Sequence, residues 1–385
     1  MPAKLPKQRK LLDERAQDFD PVTSYRAGIA TRIEDLAVPA ALPPLVSIIV
    51  DNYNYARFLG VAIDSALDQT YRRVEVIVVD DGSTDDSVRV IRRYGDRITP
   101  VFKANGGQAS AFNAGYERAG GQIVMFLDAD DALHPDAVAR VVAAFAPGVA
   151  KVQFRLRHVD AAGLPMGDTE PPMRLPMTEG DQLATLLRRG VMVCPPTSGN
   201  AFLRETIAPL MPLDEHDWRL AGDTPLVYGA AFAGRVVSLA EPAGDYRRHG
   251  TNLWRDRPPE ASHMARLVRE DVARERLVRT LAARQGLAVP PDLRFRDWRH
   301  VLMHAAVMLE PGARTRLGEP SLASLCRRGL AALWRVPDLA LRKRLALALY
   351  VAALPFLPRD VARQLVTWHL FPQTRPRSRP HAATS

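Results

Sequence analysis

From Val46 onward, short runs of consecutive apolar residues alternate with longer stretches in which apolar positions recur at helical spacing. The runs VSIIV (46–50), VEVIVV (74–79), ITPVF (98–102) and IVMFL (123–127) read as strands, with helices through Ile63 and Leu67, from Asp85, and over 109–119 between them. Strands apolar on both faces, separated by amphipathic helices, predict an α/β fold: a mostly parallel nucleotide-binding sheet flanked by helices. The pattern continues with a strand over 152–159, a Pro-rich stretch and a helical segment ahead of Tyr246-Arg247-Arg248-His249-Gly250. Beyond Pro258 the chain turns Arg/Ala/Leu-rich and helical, as in MARLVREDVARERLVRTLAARQG. The composition shifts divide it into a flexible tail over 1–43, an α/β domain over 44–255, a helical C-terminal region over 256–371 and a flexible tail over 372–385.

Each strand ends in a polar cluster: Asp51-Asn52-Tyr53-Asn54, Asp80-Asp81-Gly82-Ser83, Asn105-Gly106-Gly107-Gln108 and Asp128-Ala129-Asp130-Asp131. In parallel sheets ligands collect beyond the carboxyl ends of the strands, so the clusters converge on one rim. FLDADD (126–131) sets acids at the exit of a buried strand, where carboxylates suit a hard cation, Mg²⁺ or Mn²⁺, shared with phosphate oxygens. One of these acids would equally serve as a helix N-cap. In VVDDGSTDDS (78–87), Ser83 or Thr84 is expected to cap the next helix, leaving Asp80 and Asp81 free to accept from a pyrimidine imide or ribose hydroxyls.

The net charge of +9 is unevenly placed: residues 1–254 hold 28 Lys+Arg against 32 Asp+Glu, and residues 255–385 hold 24 against 11. The basic excess therefore lies in the C-terminal third, where an anionic membrane surface is the expected partner. The basic segments lack interleaved aromatics, so no nucleic acid partner is expected. LALALYVAALPFL (345–357) is too short to span a bilayer as a helix and reads as buried or interfacial, the buried reading being favoured. Cys194 and Cys326 show no disulfide or zinc spacing, and the polar N-terminus has no signal-peptide core, which points to the cytoplasm. His300 and His304 stand at i and i+4 without a third ligand and read as packing or surface residues.

VSIIVDNYNYARFLGVAIDSALDQTYRRVEVIVVDDGSTDDS, followed by NGGQASAFNAGYERAGGQIVMFLDADD, resembles the catalytic domain of family 2 glycosyltransferases. The resemblance implies a GT-A fold over 44–255, a nucleotide-diphosphate sugar donor, Mn²⁺ or Mg²⁺, and inversion at the anomeric centre. It assigns Tyr53, Asn54, Asp80 and Asp81 to the nucleoside, Gln108 and Asn113 to the donor pocket, and Asp128 and Asp130 to the metal and diphosphate. The chain carries Asp51-Asn52 where the common pattern has a Pro, so the donor base stays open.

The family places its catalytic base on a later helix, ahead of a YRxH element. Ala221-Gly222-Asp223-Thr224 and YRRHGTN (246–252) match that order, making Asp223 the candidate, with Asp214, Glu215 and Asp217 as competitors. Arg247, Arg248 or His249 would help to neutralise the leaving diphosphate. PPTSGNAF (195–202) resembles the segment beneath the acceptor, with Ser198, Gly199 and Asn200; Gly199 would allow close substrate approach or serve only a turn. The acceptor is expected to be a glycan or lipid-linked envelope molecule.

Two other readings compete. Sugar nucleotidyltransferases carry a GxGxR-type loop after the first strand, which DNYNYARFLG lacks; a non-catalytic nucleotide-sugar-binding module on the same fold would keep these motifs. No GxxxxGK[ST] and no GxGxxG after a strand is present, which removes kinase and dehydrogenase readings.

Overall fold

A computed structural model describes residues 43–250, 252, 261–311, 321–335 and 339–371. Of the expected tails over 1–43 and 372–385, all but Pro43 lies outside the described residues.

The first half of the chain runs β1 (Val46–Asn52), α1 (Ala56–Leu67), β2 (Val74–Asp80), α2 (Ser87–Arg92), β3 (Thr99–Phe102), α3 (Gln108–Arg118), β4 (Ile123–Asp128), β5 (Ala132–Leu133), α4 (Ala137–Ala144), β6 (Val149–Gln153), β7 (Leu156–Val159) and β8 (Pro165–Glu170). It continues with α5 (Gln182–Arg189), β9 (Asn200–Leu203), α6 (Arg204–Ile207), α7 (Asp223–Ala233), β10 (Arg235–Ser238) and β11 (Gly244–Arg247). Five helices follow: α8 (Ala261–Arg284), α9 (Trp298–Leu309), α10 (Leu322–Arg335), α11 (Leu341–Ala353) and α12 (Arg359–Leu370).

Seven strands form the main sheet in the order β10-β6-β9-β4-β1-β2-β3. β1 pairs in parallel with β2 and β4, β2 with β3, and β6 with β10; β9 alone runs antiparallel to its neighbours. Alternate side chains of the central strands enter opposite cores. Ile49, Ile77, Val79, Val124 and Phe126 pack under α3 and α7, whereas Ile48, Val50, Val76, Val78, Met125 and Leu127 pack under α1 and α4. Burial on both faces is what the consecutive β-branched residues foretold. A smaller sheet, β5-β11-β7-β8, stands beside it.

Chain order decides where a ligand fits. β2 and β3 extend the sheet to one side of β1, and β4 then lies on the other side of β1, so the direction of winding reverses between β1 and β4. Such a switch point opens a crevice at the carboxyl ends. The register there sets Asp51 opposite Asp128.

Three expectations need correction. The single strand over 152–159 is two, because the chain leaves the large sheet after Gln153 and enters the small one at Leu156. The helix expected from Asp85 starts at Ser87, and neither Ser83 nor Thr84 caps it; Asp85 instead accepts from the Ser87 amide at 3.0 Å. The run over 345–357 is neither wholly buried nor wholly interfacial: Leu347, Val351 and Leu354 are buried, but Leu345, Leu349 and Phe356 are exposed.

The C-terminal helices pack on one another through Trp298, Leu302, Leu333, Val351 and Val366. α8 joins them to the sheet, its Ala273, Val278 and Ala282 sharing a core with Leu226 and Ala230 of α7. Asp271 is buried between α8 and α9, paired with Arg274 at 2.8 Å and flanked by His300 and His304 at 3.4 and 3.6 Å. Burial pushes its carboxyl up, but the Arg274 guanidinium above all, with the two imidazoles, holds it well below the usual range, and burial lowers His300. No helix among the described residues is long and apolar enough to cross a membrane.

Candidate active site

A cleft of about 730 Å³ opens at the switch point and is lined by Asp51, Tyr53, Asn54, Asp81, Gln108, Asp128, Asp130, Thr197, Arg219 and Asp223, among others. Its first wall is the loop after β1. Asn54 sits at φ 60°, a left-handed conformation that Asn tolerates better than most residues, and its Oδ1 accepts from the Thr84 amide at 2.7 Å. Ser83 Oγ accepts from the Asn54 amide at 2.9 Å, so the loops after β1 and β2 are tied together.

Asp80 and Asp81 divide the work that was expected of both. Asp80 is buried, accepts from Asn52 Nδ2 at 2.8 Å and the Ser83 amide at 3.1 Å, and does not line the cleft. Asp81 lines it and accepts from Lys103 Nζ at 2.6 Å and from the Gly106 and Gly107 amides at 2.9 and 2.6 Å. The carboxylate thus holds the Asn105–Gln108 turn against the strand tips. Gly107 adopts φ 91°, and a Cβ there would overlap the Arg219 carbonyl. That close approach lets the Gln108 amide donate to the same carbonyl at 2.7 Å and starts α3.

α3 delivers Gln108 to the acids. Phe112 on α3 stacks on Phe126 of β4 with ring centroids 4.0 Å apart, an arrangement worth about 0.5–1.5 kcal/mol beyond its buried area. Gln108 Nε2 then donates to Asp128 Oδ1 at 3.0 Å, and its Oε1 accepts from the Gly222 amide at 3.0 Å, just before Asp223. One amide therefore couples the β4 tip to the start of α7. Asn113, one turn on, is brought elsewhere: it donates to the Leu213 carbonyl and accepts from the Leu213 amide, outside the cleft lining.

Asp51, Asp128, Asp130 and Asp223 all face the cleft. Burial, then repulsion from Asp128 and Asp130, pushes Asp51 well above the usual carboxylate range; burial, then Asp130 and Asp223, does the same to Asp128. Burial also raises Asp223. Oδ1 of Asp51 is buried without a hydrogen-bond partner. Gathered carboxylate oxygens that repel one another, one of them unsatisfied, fit a hard divalent cation such as Mg²⁺ or Mn²⁺.

None of the three DADD acids caps a helix, as one of them was expected to: β5 follows them directly, and Asp136 is the N-cap of α4. Asp131 accepts from Ser198 Oγ at 2.7 Å and from the Arg247 amide at 3.1 Å, tying β4 to the 196–199 segment and to β11. Arg247 and His249 do not line the cleft. Arg247 Nε donates to the Asp130 carbonyl at 3.0 Å, and His249, between Tyr55 and Phe58, sets Nε2 2.9 Å from Asp130 Oδ2. Both orient Asp130 from behind.

Ser198 and Asn200 are fully buried, Asn200 Oδ1 accepting from Lys151 Nζ at 3.0 Å. Gly199 is needed for contact with the Phe154 carbonyl, where a Cβ would not fit, rather than for substrate approach. The cleft is reached instead by Pro196 and Thr197. Of the four acids considered for the base, Asp223 alone lines the cleft: Asp214 caps its own turn, Glu215 meets Asn113, and Asp217 pairs with Arg276.

Sequence reading missed Asp51, Thr197, Arg219 and Asn252. Asp51 carried a signal, since it belongs to the Asp51-Asn52 pair at the end of β1 that departs from the family pattern. Asn252 did too, closing YRRHGTN and donating to the Arg247 carbonyl at 2.7 Å. Arg219 had none, because its cleft position follows from the Gly107 contact.

A family model described as Glycosyl transferase family 2 matches residues 47–199. An uncharacterized glycosyltransferase of Nostoc sp. is 40% identical over 213 residues, 54% of this chain and 66% of that protein, just under two thirds of its length. Chondroitin synthase of Pasteurella multocida is 47% identical over 98 residues, 25% of this chain and 10% of that protein. Among solved structures, S. aureus TarS 1-349 in complex with UDP-GlcNAc aligns with a TM-score of 0.49 at 14% identity, covering 86% of this chain and 91% of that one. The mannosyltransferase PcManGT from Pyrobaculum calidifontis, in complex with GDP-Man and Mn²⁺, aligns at 0.44 and 20% identity, covering 91% and 92%.

Proposed function

From the premise that this chain belongs, through residues 47–199, to glycosyl transferase family 2, we propose that it moves a sugar from a nucleotide-diphosphate donor to an acceptor by an inverting single displacement. The observation that carries this reading is the meeting of Asp51, Asp128, Asp130, Gln108 and Asp223 in one cleft. Tyr53, Asn54 and Asp81 take the nucleoside, with Asp80 fixing their loops from below. Asp128 and Asp130 would hold a divalent ion, which would supply positive charge to neutralise the leaving diphosphate. Gln108 keeps Asp128 and the start of α7 in register, while Arg247 and His249 orient Asp130. Asp223 takes the acceptor's proton; burial raises its affinity for protons, which strengthens it as a base. The acceptor is a glycan or lipid-linked envelope molecule, met on the cytoplasmic side at an anionic membrane surface.

A panel of nucleotide sugars screened for thermal stabilisation with Mn²⁺ tests the donor class. A ligand at a hundred times its Kd adds about 2.7 kcal/mol to stability. Stabilisation by one nucleotide sugar, together with slow donor hydrolysis that EDTA abolishes, is the expected result. A panel without effect, with or without metal, overturns the reading.

A further inference from the structure

Helix α11 is apolar on two sides, and the helical bundle covers one of them. Leu347, Val351 and the following Leu354 face the C-terminal core. On the opposite side Leu341, Leu345 and Leu349 recur at i, i+4 and i+8, followed by exposed Ala352 and Phe356. Leu349 is 74% exposed and Phe356 88%. A helix side that ends in water carries polar residues at these positions, and a continuous apolar stripe marks a surface built to be covered.

The stripe does not stop at α11. Trp334, at the end of α10, is 58% exposed, and the Arg344 guanidinium lies 5.3 Å from its ring. Indole and apolar stripe thus adjoin. The charges that the two helices themselves carry are of one sign: Arg342 and Lys343 are exposed in the first turn of α11, Arg327 is exposed on α10, and neither helix contains an acid; Asp292, from outside them, is paired with Arg335 at 2.8 Å. A second copy pairing through this face by a two-fold axis would set these cations against each other. An anionic lipid surface instead satisfies both features, taking aliphatic and aromatic side chains into the acyl boundary while phosphates meet Arg and Lys.

We infer that α11, the turn to Phe356 and Trp334 form a face that docks on an anionic phospholipid bilayer. Leu345, Leu349 and Phe356 enter the boundary layer, and Arg327, Arg342 and Lys343 meet the headgroups. This gives the membrane part of the proposed function its residues. It rests on no step of sugar transfer, because vesicle binding is read without donor or acceptor.

The test is co-sedimentation of the full chain with phosphatidylcholine vesicles, with and without phosphatidylglycerol. Wild type is expected on the phosphatidylglycerol vesicles and to be released by salt. Leu349→Glu/Phe356→Glu, at exposed positions, should weaken partitioning at least about tenfold without lowering the melting temperature. Arg342→Gln/Lys343→Gln should weaken it on the anionic vesicles alone. Wild type that stays in the supernatant, or a Leu349→Glu/Phe356→Glu protein that binds as tightly, overturns the inference. So does a wild-type dimer that this variant splits without any vesicle binding, which would give the face to a second copy.

Discussion

Replacing Asp223 by Asn keeps the side chain's size while removing a charge and a proton acceptor at the first residue of α7. The change leaves Gln108 and the Gly222 amide in place, since their bond does not involve the Asp223 carboxylate. It also removes one source of repulsion on Asp128, so a divalent ion and the donor should bind at least as well as to wild type. What is lost is the proposed general base. Such a group contributes about 10²–10⁴-fold, which is about 2.7–5.4 kcal/mol of activation free energy. In a continuous assay for released nucleoside diphosphate, kcat should fall by that factor with donor KM little changed.

The pH profile adds a second reading of the same residue. Burial raises the Asp223 carboxyl, and a base acts when deprotonated, so wild-type turnover is lost as pH falls through a value above the usual carboxylate range. Asp223→Asn should lose that acidic limb. Equal loss of donor affinity and turnover would make Asp223 a binding or structural residue, and near-wild-type turnover would remove it from the chemistry altogether.

Asp51→Asn should stabilise the metal-free protein. Its folded-state pKa is raised, so the folded protein binds the proton more tightly, and wild type loses stability as pH rises from the ordinary carboxylate range. Melting curves without metal should therefore place the variant above wild type at pH 7 and level with it near pH 4; the gain from added Mn²⁺ should shrink, and an unchanged gain would exclude Asp51 from the ion's surroundings. Asp271→Asn strips the buried carboxylate from the partly buried Arg274 and should cost on the order of 3 kcal/mol in urea unfolding; a change under about 0.5 kcal/mol would show the pair to be incidental. Gly107→Ala forces a left-handed residue against the Arg219 carbonyl and should cost about 1–3 kcal/mol with a larger loss of turnover through Gln108; an unaltered enzyme would refute the coupling.

Much of the α/β frame was legible because strands buried on both faces announce themselves as unbroken apolar runs. The four polar clusters followed from the same logic, since a strand tip at a rim must end in polar residues or loops. The sequence could not say which acid of a pair faces outward. Asp80 and Asp81 are adjacent and alike, yet one ties loops and the other lines the cleft, because alternation along an extended chain sends them opposite ways. Arg247 and His249 looked like phosphate ligands by type and motif, whereas β11 lies behind the Asp130 turn and turns them toward its back. The break at Phe154-Arg155 was hidden for a further reason: no turn residue marks it, and only the pairing of Gln153 with Asn200 and of Leu156 with Gly244 shows that the two halves of 152–159 belong to different sheets. In the C-terminal region, the sequence named the apolar run but could not divide its faces between bundle and exterior.

The proposed transfer requires a divalent ion at the β4 acids, beside the donor's diphosphate. Anomalous diffraction from crystals grown with Mn²⁺ and the nucleotide identified by the thermal panel examines this directly. A single strong peak contacting Asp128 or Asp130 and the diphosphate is the predicted result. Nucleotide bound in the cleft with no manganese beside those carboxylates would contradict it.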